Sequence, residues 1–130
     1  MSKKGVMFYV LVGFKSTDEH DIEDAFRRIE LLFRYGVIPY IMRYSGPDEA
    51  PWETSKYRHM YVLLARWCNQ QSLVKKKSFR QFVEDEQAWE EAKGRHCGSL
   101  QVLREFEAEH PEIASRYFDI RFRYKGEEVS

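Results

Sequence analysis

The sequence predicts an α/β domain, and three observations lead there. Two apolar runs, residues 6–12 and 37–42, have the length and the β-branched and aromatic content of strands. Between them, Ile22, Ala25, Phe26, Ile29, Leu32 and Phe33 recur at three- and four-residue spacing, the stripe of an amphipathic helix. The connections joining the three are short. Strand, helix and strand so joined predict a right-handed parallel β-α-β crossover.

The first run, Val6-Met7-Phe8-Tyr9-Val10-Leu11-Val12, is apolar at every position and suits a strand covered on both faces. Gly13 ends it. Ser16 and Glu19 have the spacing of a capping box, and Asp18, Glu19 and Asp21 place negative charge in the first helical turn. Gly36 is the expected stop, because glycine adopts the left-handed conformation that ends helices. Pro39 has no N–H, so it is expected near the strand start or on a less paired side. Ser45-Gly46-Pro47-Asp48 closes the unit as a turn.

The rest of the chain reads as cover. A helix over about 54–69 carries Tyr57, Met60, Tyr61, Leu64 and Cys68 on one stripe, with Val62, Leu63 and Trp67 beside it. Apolar over so wide an arc, it should be well buried. Ser78 and Gln81 open a further helix that runs toward Gly94, with Asp85, Glu86, Glu90 and Glu91 on its wet face. Gly98-Ser99 starts another, with Leu100, Leu103 and Phe106 inward, and His110-Pro111 ends it. Residues 112–116 give one more turn. Phe118, Ile120, Phe122 and Tyr124 alternate with Asp119, Arg121 and Arg123, the period of a last edge strand. The chain thus divides into a β-α-β unit (1–46), helical cover (47–111), and a strand and tail (112–130).

Composition narrows the function classes. At 130 residues the chain is one domain with a real core. Lys+Arg and Asp+Glu balance at 21 each, which argues against a nucleic-acid or membrane-surface binder, since phosphate-driven binding needs a basic excess. Two cysteines, Cys68 and Cys97, make no disulfide framework or metal pattern, and a reduced cytoplasmic setting follows. No apolar run reaches the length of a membrane span.

One stretch carries a family resemblance. Residues 9–21, Tyr-Val-Leu-Val-Gly-Phe-Lys-Ser-Thr-Asp-Glu-His-Asp, resemble a late strand-to-helix turn of the radical S-adenosylmethionine (radical SAM) family. Residues 36–44, Gly-Val-Ile-Pro-Tyr-Ile-Met-Arg-Tyr, resemble that family's next strand. Leu64-Ala65-Arg66-Trp67-Cys68-Asn69 and Lys77-Ser78-Phe79-Arg80-Gln81-Phe82 resemble the tail after the barrel in one compact subgroup. The departures are specific. Lys15 and Ser16 replace the Pro and Gly of the family's usual turn, and the C-x3-C-x2-C motif that holds its iron–sulfur cluster has no counterpart.

The resemblance therefore implies the C-terminal part of such an enzyme: a partial (half) βα barrel, a parallel β-α-β unit with additional helices and a C-terminal edge strand. By that likeness Leu11, Val12, Gly13, Met42 and Arg43 form one wall of an S-adenosylmethionine pocket. Read plainly, the same residues are sheet core and strand ends. Without the cluster that holds the methionyl group, the chain alone is expected to bind no cofactor and to have no catalytic residue of its own. Its expected partner is a cluster-bearing chain or a second copy in a homodimer. The alternative is a small interaction domain that self-associates through its sheet edges.

Other chemistry is thinly supported. His96 and Cys97 are adjacent and would point apart, Cys68 and His110 lie elsewhere, and no pair has metal-ligand spacing. Cys68 reads as a core thiol, and His20 and His59 as helix-surface residues. Lys75, Lys76 and Lys77 with Arg66, Arg80, Trp67 and Phe79 could make a basic–aromatic patch, but such patches on capped helices are usually solvated.

Overall fold

The structure is a computed structural model, and it describes residues 7–12, 19–43 and 55–122. Two strands and six helices follow in the order β1 (Met7–Val12), α1 (Glu19–Arg34), β2 (Ile38–Arg43), α2 (Arg58–Cys68), α3 (Gln71–Val74), α4 (Phe79–Ala92), α5 (Ser99–Glu109) and α6 (Pro111–Tyr117). The expected Gly13 turn, the Ser16–Glu19 capping box and the turn at Ser45 lie outside the described residues.

The strands pair in parallel. Met7 stands opposite Ile38, Tyr9 opposite Tyr40, Leu11 opposite Met42 and Val12 opposite Arg43. The fold is thus mixed α/β with a two-stranded parallel sheet, as the alternation of apolar runs and helix stripe requires. Gly36 stops α1 at φ +69°, the left-handed geometry that only glycine takes at no steric cost. The turn closes by N–H groups of Tyr35, Gly36 and Val37 returning to carbonyls of Leu32 and Phe33.

The α1 stripe forms the centre of the core. Ile22, Ala25, Phe26, Ile29 and Phe33 are fully buried. Phe26 meets Phe79 edge-on at 5.4 Å and stacks on Tyr117 at 5.8 Å, while Phe33 meets Trp67 and Phe122. One helix face therefore contacts α4, α6, α2 and the C-terminal segment at once. The α2 helix is buried at Met60, Tyr61, Leu63, Leu64, Ala65, Trp67 and Cys68, the wide apolar arc read from its sequence. Trp67 satisfies its one donor by bonding Nε1 to the Lys77 carbonyl at 2.9 Å. Ser78 caps α4 by accepting from the Gln81 N–H.

Two expectations fail. The first run, expected to be covered on both faces, leaves Tyr9 and Leu11 exposed because the described helices pack on only one side of the sheet. Residues 118–122 form no strand; their alternation has another origin. Phe118 and Phe122 are buried because they fill gaps between helices, Phe118 against Phe26, Phe79 and Phe106 and Phe122 against Phe33. The Phe118 carbonyl accepts from the Arg80 N–H at 3.0 Å, which fastens this segment to the start of α4 rather than to the sheet. Tyr124 lies outside the described residues. Sequence reading also passed over α3, a single turn between Gln71 and Val74.

Candidate interaction surface

The five residues predicted for a cofactor wall divide in two. Leu11 and Met42 stand opposite each other in register and are both exposed on the outer face of the sheet. Val12 points the other way, 1% exposed, into the core beside α1. Arg43, opposite Val12, is exposed, and Gly13 lies outside the described residues. The parallel strands end here on the same side, and such carboxyl ends are where open α/β sheets carry ligands.

The two sheet edges differ. On the outer side of β2, the Asn69 side chain binds the main chain of Ile41 twice, Oδ1 accepting at 2.7 Å and Nδ2 donating at 3.2 Å. Asn69 is held there by the end of α2, where its own N–H returns to the Ala65 carbonyl. In a parallel ladder successive residues direct their N–H and C=O groups to opposite sides. Pro39, two residues before Ile41, therefore faces the same outer edge, and it has no donor to offer. The edge of β2 is closed by a missing donor and an occupied amide.

The same alternation turns Val10 toward β2, and Tyr9 and Leu11 outward. One contact agrees: Arg28 Nη1 donates to the Leu11 carbonyl at 3.3 Å. Otherwise this outer edge of β1 is bordered by apolar surface. Among the described residues, the exposed large apolar side chains are Phe8, Tyr9 (74% exposed), Leu11, Leu31 (51%), Tyr35 (68%), Met42 and Trp89. All but Trp89 lie on the two strands, on α1, or, for Tyr35, in the turn just after α1. Tyr9 packs edge-on against Tyr40 at 5.6 Å, a cross-strand pair on the outer face.

The remaining candidate chemistry resolves into structure. Cys68 is fully buried, and burial pushes its thiol well above the ordinary value. Cys97 is half-buried on the segment before α5. Among the described residues no group of three His, Cys, Asp or Glu side chains could hold a metal ion. The basic–aromatic patch disperses. Trp67 and Phe79 are in the core, Arg66 pairs with Glu86, Lys77 with Asp85, and Arg80 with Glu107 and Asp119. His20, His59 and His96 are exposed.

His110 is different; sequence reading treated it as a helix terminator and set it aside as a metal ligand. It joins α5 to α6, packs its ring tilted against Phe106 at 4.8 Å, and meets the hydroxyl of buried Tyr57 at 3.3 Å through Nε2. Beside it a groove of about 420 Å³ is lined by Lys56, Tyr57, His59, Met60, Phe106 and Glu109, among others. Lys56 pairs with Glu109 at 3.5 Å across its mouth. The arrangement closes the α2–α5 contact with paired polar groups.

Comparison with known proteins finds no matching family model, no matching curated protein and no matching solved structure. No helix among the described residues is long and apolar enough to cross a membrane.

Proposed function

We propose that this chain is a partial βα barrel of the radical SAM type, without catalytic activity of its own, that acts by joining its sheet to another chain. The observation that carries the reading is the asymmetry of the two edges. Asn69 and Pro39 terminate the sheet at β2, while β1 offers outward main-chain groups framed by exposed apolar residues. Strands missing from such a barrel would precede β1, and among the described residues no strand pairs with the outer edge of β1. The resemblance of residues 9–21 and 36–44 points to the same order, since it aligns this chain with the end of a barrel.

On this reading Leu11 and Met42 supply an apolar ledge at the carboxyl ends of the strands, suited to an adenine ring. The described residues do not supply the rest of the site. The cluster motif is absent from the sequence, Cys68 is sealed in the core, and Val12 faces α1. Cofactor chemistry would belong to an assembled barrel. Two free thiols, one of them buried, fit a reducing, cytoplasmic setting.

Anaerobic reconstitution of the purified chain with iron and sulfide tests the non-catalytic part. No cluster absorbance is expected, and a bound cluster would overturn it. Calorimetric titration with S-adenosylmethionine tests the family reading; measurable binding lost in a Leu11→Glu, Met42→Glu variant supports the ledge.

A second reading has its own support. Exposed apolar side chains cluster around β1, at Phe8, Tyr9, Leu11, Leu31 and Tyr35, which suits a self-associating interaction domain with no cofactor history.

A further inference from the structure

We draw no further inference here: the strongest candidate, the groove between α2 and α5 beside the Lys56–Glu109 pair and the Tyr57–His110 contact, has floor residues Tyr57, Met60 and Phe106 that are already buried and polar groups that pair with one another, and nothing in the structure shows what would occupy it.

Discussion

Asn69 stands in for a strand beside Ile41, its amide oxygen and nitrogen meeting the N–H and C=O of one residue at 2.7 and 3.2 Å. A carboxamide is the smallest side chain with a donor and an acceptor on one planar group, as a peptide has. Placed by the end of α2, it gives β2 the bonds that a further strand would give, and stops the sheet there.

Truncation at this position should be costly for a polar residue at the end of a helix. Asn69→Ala leaves a partly buried donor and acceptor without partners, a loss of about 1–3 kcal/mol. Urea unfolding would register it as a lower midpoint at constant slope. A change below about 0.5 kcal/mol, the scale of an ordinary surface substitution, would show that the clamp is incidental.

The two thiols should behave differently. Cys68 is sealed among core side chains and its thiolate is disfavoured by desolvation. Cys97 is half-buried and outside the core. At neutral pH a disulfide reagent should titrate one thiol in the folded chain and both once it is denatured. Rapid modification of Cys68 in the native state would contradict the packing of α2.

Arg80 ties three segments together. Its guanidinium holds Glu107 of α5 by two bonds of 3.1 Å, its Nε meets Asp119 at 3.1 Å, and its backbone N–H binds Phe118. The hydrogen bond from Arg80 holds the Glu107 carboxyl below its ordinary value. A carboxyl so lowered contributes stability above its unfolded pKa, and the contribution disappears as pH falls through the folded value. Glu107 is more than a third exposed, so solvent screening keeps the effect modest. Glu107→Gln should therefore lower stability near neutral pH. The two unfolding curves should converge below about pH 4, where carboxyls protonate. A gap that persists in acid would assign the effect to packing instead.

Much of the fold was legible because its signals are local. The α1 stripe, the stops at Gly36 and Gly94, and the Ser78 cap each depend on residues within a turn or two of one another. The C-terminal alternation misled for the converse reason. A period of two says that every second side chain is buried, but not whether a strand or the gaps between helices bury it. The predicted wall residues were half legible. Leu11 and Met42 meet in register, whereas the inward turn of Val12 follows from which face α1 covers.

The amino-acid order alone determined the element sequence, the parallel sense of β1 and β2, and the apolar face of α1, since spacing and short connections leave little choice. Tertiary structure alone decided which edge of the sheet is closed. That depends on Asn69 reaching Ile41 across 28 positions of chain. No local pattern encodes where the end of one helix will fall against the side of a distant strand.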